Sequence, residues 1–290
     1  MRRGLLLLAS LSCSSFLQAR GPATVEKDLV YATVAERELK LDLYLPAATS
    51  KPPLVVWIHG GAWRRGSKDN PPVLYLVDAG FALASVDYRL SPEAKFPALV
   101  HDCKAAIRWL RAKAKKYGYD ASRVGIAGSS AGGHLVALIG TTNGHQKLEG
   151  EVGEHRDASS DVHAVVNLYG PTNFLTILKQ STPHGLSVRV PALKLLLGDL
   201  PENKADLAKL ASPVFHVDDA APPLLMLHGD QDPQVPINQS HELHAAYKEV
   251  GRPVHFHVVH GGHHGGPLFH DEARRELVVG FLRRRLRPND

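Results

Sequence analysis

The chain has 290 residues, 44% of them hydrophobic and 22% charged, with two cysteines. That balance excludes collagen-like, disordered and disulfide-scaffold classes and leaves an ordinary globular protein. The 34 basic residues exceed the 29 acidic ones by five, but Arg2, Arg3, Arg283, Arg284, Arg285 and Arg287 crowd the two ends, so the remainder is nearly balanced and carries no nucleic-acid footprint.

Met1 to Ala19 has a basic start at Arg2 and Arg3, an apolar run from Leu5 to Leu11 and a small residue at Ala19, the pattern of a secretory signal peptide cut after Ala19. Leu17 is larger than the residue usual at its position. Cys13 offers a lipid-anchoring alternative, although Ser10 stands where a lipoprotein signal carries Leu. The leader is too short to span a bilayer, and no later run reaches the roughly 18 apolar residues that would. The expectation is an exported protein, periplasmic or extracellular, with residues 20–290 as one domain. Once the leader is removed, Cys103 has no partner for an intrachain disulfide.

From there, Leu39 to Leu45 alternates apolar and polar residues as a half-buried strand does, and Thr24 to Ala35 supplies its hairpin partner. From Pro53 the rhythm changes to short apolar runs followed by amphipathic stretches: the strand Leu54 to Ile58, then Pro71 to Gly80, then the strand Phe81 to Val86. Phe96 to Tyr117 places Leu99, Cys103, Ala106, Leu110 and Ala114 at helical spacing, and Gly118 ends that helix. Further strands are expected at Arg123 to Gly128, His163 to Tyr169, Pro223 to His228 and Val254 to Val259, and helices at Ala131 to Gly140, Ile237 to Val250 and Asp271 to Leu286. Such alternation predicts an α/β fold with a mostly parallel sheet, helices on both faces, and an antiparallel edge. Two stretches, 141–161 and 172–219, break the rhythm and read as cap-like insertions of the kind that form lids or substrate walls.

Gly128-Ser-Ser-Ala-Gly132 matches G-x-S-x-G around Ser130, directly after a predicted strand and before a predicted helix, the context of a strained nucleophile turn. Upstream, His59-Gly-Gly-Ala-Trp63 follows a strand with a glycine-rich loop whose backbone N–H groups, at Gly61 and Ala62 together with Ala131, could face a developing oxyanion. His59 reads as a brace for that loop rather than a base. A nucleophilic serine needs a base and the base an orienting acid. Asp230 and Asp232 in His228-Gly-Asp-Gln-Asp232 offer the acid, and His260, His263 and His264 offer the base; spacing alone leaves both choices open. The abundant histidines lack a Cys, Asp or Glu at zinc-ligand spacing, so no metal site is assigned.

Taken together, Pro53 to Trp63, Val86-Asp-Tyr-Arg-Leu-Ser91, Gly128 to His134, His228 to Asp232 and His264-Gly-Gly266 resemble the α/β-hydrolase esterases, most closely the bacterial bifunctional acetylxylan and feruloyl esterase type (BD-FAE-like), and are similar also to hormone-sensitive-lipase-like esterases. The resemblance spans nearly the whole chain after the leader. It implies Asp232 as the acid, because the family uses the second aspartate of His-Gly-Asp-x-Asp, and His264 as the base, because the family uses the histidine before Gly-Gly. His263 departs from the glycine usual there and stays a competitor. Ala62 departs from a third glycine in the loop, and Trp63 after it is expected to border the acyl or alcohol pocket.

The implied reaction is hydrolysis of short acyl esters, acetyl or feruloyl groups on polysaccharide among them, through an acyl-enzyme, with no cofactor. A small-molecule or polysaccharide ester is the expected partner, and the sequence assigns no oligomeric state. A small serine peptidase of the same fold and a noncatalytic binding scaffold are the alternatives.

Overall fold

The computed structural model describes residues 24–47 and 49–286. The expected leader 1–19, with Cys13, lies outside them, as does Arg287. Eight strands form one sheet in the order β1-β2-β4-β3-β5-β6-β7-β8: β1 (Thr24–Val34), β2 (Arg37–Leu45), β3 (Pro53–Ile58), β4 (Ala82–Val86), β5 (Asp120–Ser129), β6 (Ala164–Leu168), β7 (Leu224–Gly229) and β8 (Val254–Val259). β1, β2 and β4 pair antiparallel, and every pair from β4 to β8 is parallel. An α/β-hydrolase sheet with an antiparallel edge is therefore present.

β3 shows why its sequence is apolar throughout. All six residues are buried, and successive side chains of a strand point to opposite faces. Leu54, Val56 and Ile58 enter one core layer with Leu99, Cys103 and Leu110. Val55 and Trp57 enter the other with Leu76, Phe81, Val278 and Phe281. The helices covering these faces are α1 (Tyr75–Asp78), α2 (Ala98–Tyr117), α3 (Ala131–Thr141) and, at the far end of the chain, α9 (Glu272–Leu286). α2 ends where expected, with Gly118 left-handed at φ 77°. The amphipathic stretch Pro71 to Gly80 gives only the single turn of α1, which ends where Gly80 turns away at φ 90°.

The two insertions are folded. Residues 141–161 carry the short α4 (Gln146–Glu149), and Glu149 joins Lys104 and Arg108 of α2 in an ion-pair cluster. Residues 172–219 hold α5 (Ile177–Gln180), α6 (Pro183–Leu197) and α7 (Ala205–Leu210). α8 (Asn238–Glu249) anchors this insertion: the Gln239 side-chain oxygen accepts from the N–H of Thr172 and Asn173, and Glu242 accepts from the side chains of Asn173 and Gln180. Among the described residues, no helix is long and apolar enough to cross a membrane.

Candidate active site

Parallel strands deliver their C-terminal loops to one edge of a sheet, and in open α/β sheets such crevices bind ligands. Ile58 pairs with Gly128 and Ser129 with Leu168, so the loop after β3, the turn after β5 and the end of β6 meet there. The loops after β7 and β8 join them through the pairing of Gly229 with Val259.

Ser130 sits between β5 and α3 at φ 54°, ψ −118°, a left-handed backbone that non-glycine residues rarely adopt. Its N–H donates to the Leu168 carbonyl at 2.9 Å, and its own carbonyl accepts from His134 N–H at 2.9 Å, so both sides hold the strained turn. The flanking glycine at 132 is required by close approach: a Cβ there would lie 2.0 Å from the Ile58 carbonyl oxygen. The result is a hydroxyl raised at the sheet edge.

His264 Nε2 lies 2.8 Å from Ser130 Oγ, and His264 Nδ1 lies 2.7 Å from Asp232 Oδ2. A carboxylate only accepts, so Nδ1 carries the proton and Nε2 is left to accept from the serine hydroxyl. This is the tautomer a serine nucleophile needs. Asp232 is fixed on every side: Oδ1 accepts from the N–H groups of Gln234 and Val235 at 2.8 and 3.0 Å, and Oδ2 also faces His228 Nε2 at 3.3 Å. Burial alone would raise its carboxyl pKa, but the hydrogen bonds from His228, His264 and Val235 outweigh burial and hold it well below the ordinary carboxylate range.

The choices that spacing left open separate here. Asp230 accepts instead from His260 at 2.9 Å, and that histidine is 85% exposed. His263 is exposed and bridges only to Gly265 through its backbone. The site thus gathers Ser130, His264 and Asp232, and leaves Asp230, His260 and His263 outside it.

The glycine-rich loop packs directly on the serine turn, since a Cβ on Gly60 would lie 3.3 Å from Ser130 Cβ. Gly61 (φ 113°) needs its hydrogen, because a Cβ would lie 2.0 Å from the Arg65 carbonyl oxygen. Ala62 adopts φ 54°, the left-handed region that alanine enters at a modest cost. Among the described residues, the N–H groups of Gly61, Ala62 and Ala131 have no acceptor. His59 braces the loop: its Nδ1 lies 2.7 Å from the Gly60 carbonyl, its ring stacks on Tyr88 at 4.4 Å, and burial lowers its pKa.

Trp63, expected at the border of the acyl or alcohol pocket, is fully buried. Its indole N–H donates to His134 Nδ1 at 3.1 Å, and Phe174 from the 172–219 insertion packs edge-on against it at 5.4 Å. The insertion closes over the ring, which no reading of the 59–63 loop alone could foresee. His134 in turn donates from Nε2 to the Ala211 carbonyl at 2.7 Å, and burial pushes its pKa down to about 4.

Two residues at the site escaped the sequence reading. His228 was visible only as part of a motif, yet it completes the shell around Asp232. Tyr169, directly after β6 with φ 44°, sets its ring edge-on to His264 at 4.9 Å; its only sequence signal is that it closes the expected strand beside the serine turn.

The profile of the BD-FAE family matches residues 41–247. Esterase LipC of Mycobacterium tuberculosis is 33% identical over 230 residues, 78% of this chain and 56% of its own length. The chain therefore spans about half the length of the curated relatives it matches. A structure described as a truncated form of carbohydrate esterase from gut microbiota superposes with a TM-score of 0.80 at 34% identity, covering 90% of this chain and 98% of that one. Thermogutta terrifontis esterase 2 phosphonylated by sarin gives a TM-score of 0.76 at 27% identity, covering 91% and 96%. The chain belongs to the BD-FAE family and carries its α/β-hydrolase fold.

Proposed function

We propose that this protein is a serine carboxylic-ester hydrolase acting on short acyl esters through the triad Ser130, His264 and Asp232. The observation that carries the reading is the unbroken hydrogen-bond chain from Ser130 Oγ through both nitrogens of His264 to Asp232 Oδ2, at 2.8 and 2.7 Å. Ser130 attacks the ester carbonyl while His264 Nε2 takes its proton, and Asp232 fixes the imidazole and stabilises the imidazolium that forms. The N–H groups of Gly61, Ala62 and Ala131 bind the oxyanion, each worth about 3 kcal/mol of barrier in comparable sites. His264 then protonates the departing alcohol and activates the water that releases the acid. None of these steps calls on a cofactor.

The natural substrate class we infer is acetyl or feruloyl esters on polysaccharide, which the carbohydrate esterase neighbour supports by analogy. The leader pattern of residues 1–19 supports export and a mature domain of 20–290, periplasmic or extracellular. A fluorophosphonate probe tests the nucleophile directly. It should label Ser130 in intact protein and leave Ser130→Ala unlabelled; a folded wild type that stays unlabelled would put the noncatalytic alternative first. Acetylated xylan and methyl ferulate then test the substrate class by release of acetate and ferulate.

A further inference from the structure

α6 stands over the acid loop of the site. Thr182, which caps the helix, donates from Oγ1 to the Pro233 carbonyl at 2.8 Å, and Gly185 packs so closely that a Cβ there would lie 3.1 Å from the same oxygen. One turn further along the same helix is Arg189, 1% exposed. Its guanidinium carbon lies 5.9 Å from the ring centre of Trp63, the residue that follows the oxyanion loop. α6 thus lies between the two loops, touching the acid loop through Thr182 and Gly185 and the residue after the oxyanion loop through Arg189.

Arg189 lacks what buried arginines ordinarily have. Among the described residues no carboxylate pairs with it, and its enclosed Nε and Nη1 have no acceptor. Burial lowers its pKa to about 10, while Asp232 raises it and Arg64 lowers it further, so it remains a cation at neutral pH and lies in the field of the triad acid. The Trp63 ring face gives the cation a π contact, but without an ion pair or hydrogen bond its burial still opposes folding, and an apolar side chain of similar length would pack on Trp63 without that cost. The planar fork of a guanidinium suits one acceptor above others, a carboxylate.

We propose that Arg189 is a substrate-recognition residue of this site, taking a carboxylate carried by the ester close to its scissile bond. The inference rests on the esterase reading above. It narrows the substrate class to esters bearing an acid group on the leaving or the acyl side, such as esters of an acidic sugar.

Two matched pairs test it, each comparing a carboxylate with its neutral amide. 4-Acetoxybenzoate against 4-acetoxybenzamide places the charge on the leaving group; monomethyl terephthalate against methyl 4-carbamoylbenzoate places it on the acyl group. The quantity is the acid-to-amide ratio of kcat/KM in wild type, Arg189→Lys and Arg189→Met. In at least one pair the ratio should fall about tenfold or more from wild type to Arg189→Met, the size of a lost charge-assisted hydrogen bond, with Arg189→Lys between them. Equal ratios in wild type and Arg189→Met for both pairs overturn the proposal.

Thermal unfolding separates a structural role. Arg189→Met should melt at or above the wild-type midpoint; a clearly lower midpoint with unchanged ratios would mean the guanidinium serves packing, which also overturns it. If wild type turns over neither 4-acetoxybenzamide nor 4-nitrophenyl acetate, the esterase reading itself fails and this inference falls with it. Amide turnover without charge discrimination refutes the role of Arg189 alone.

Discussion

His228 Nε2 stands 3.3 Å from Asp232 Oδ2, the oxygen that also receives His264 Nδ1–H. Two imidazoles therefore converge on one carboxylate oxygen. His228 is itself held, because its Nε2 lies 2.9 Å from the Val235 carbonyl and its Nδ1 lies 2.7 Å from Ser240 Oγ. The carbonyl can only accept, so Nε2 carries the proton and Nδ1 accepts from the serine hydroxyl. We expect His228→Phe to leave the Val235 carbonyl and Ser240 hydroxyl unmatched and to lower stability by about 1–3 kcal/mol. kcat/KM should fall roughly tenfold as Asp232 loses a donor. His228→Gln, which keeps a donor, should recover part of both in urea unfolding and ester turnover.

The Asp232 carboxyl gives a pH signature. Its folded pKa is depressed below the ordinary 3.8, so the ionised form stabilises the fold above that value and the stabilisation is lost as the pH drops through and below it. Asp232→Asn has no such group. The difference in unfolding free energy between wild type and Asp232→Asn should shrink by on the order of 2 kcal/mol from about pH 5 to about pH 2. A constant difference across that range would show that the carboxyl is not held as its contacts indicate.

His134 behaves in the opposite chemical sense. It is buried as the neutral imidazole, with a pKa of about 4 against 6.5 when free. The unfolded chain therefore takes up a proton below pH 6.5 that the folded chain refuses, and stability falls between pH 6.5 and 4. His134→Gln removes that titration, so its stability should fall less over the same window, by up to roughly 3 kcal/mol. Parallel curves for the two proteins would count against the Trp63–His134–Ala211 arrangement.

The serine turn allows a purely steric prediction. In Gly132→Ala the new methyl meets the Ile58 carbonyl oxygen at 2.0 Å, in backbone that belongs to the central strand and cannot yield cheaply. We expect a loss of several kcal/mol or failure to accumulate folded protein. Any folded fraction should label poorly with a fluorophosphonate, because the turn that raises Ser130 has moved.

How far the sequence carried follows from where the information resides. β3 and the second half of β5 were legible because strand segments buried on both faces must be apolar, whereas the largely polar start of β5 at Asp120 to Ser122 fell outside the expected strand; Ser130 was legible because a positive-φ elbow requires small neighbours at fixed offsets. Choosing His264 over His263 needed the family pattern: adjacent residues on a glycine-rich loop have no periodicity, and only the folded loop turns one imidazole toward Ser130 and leaves the other in solvent. The burial of Trp63 was illegible because Phe174, 111 positions later in the chain, closes over it. The 172–219 insertion, with Pro191 inside α6, reads as broken rhythm, so Arg189 could not be placed beside the site before the helix was.

The most direct measurement is kcat/KM for 4-nitrophenyl acetate with wild type, Ser130→Ala, His264→Ala and His263→Ala side by side. Loss of about 10⁴-fold or more in Ser130→Ala and His264→Ala, with His263→Ala near wild type, is the expected outcome. Undiminished turnover by Ser130→Ala, or an equal loss in His263→Ala, would contradict the triad.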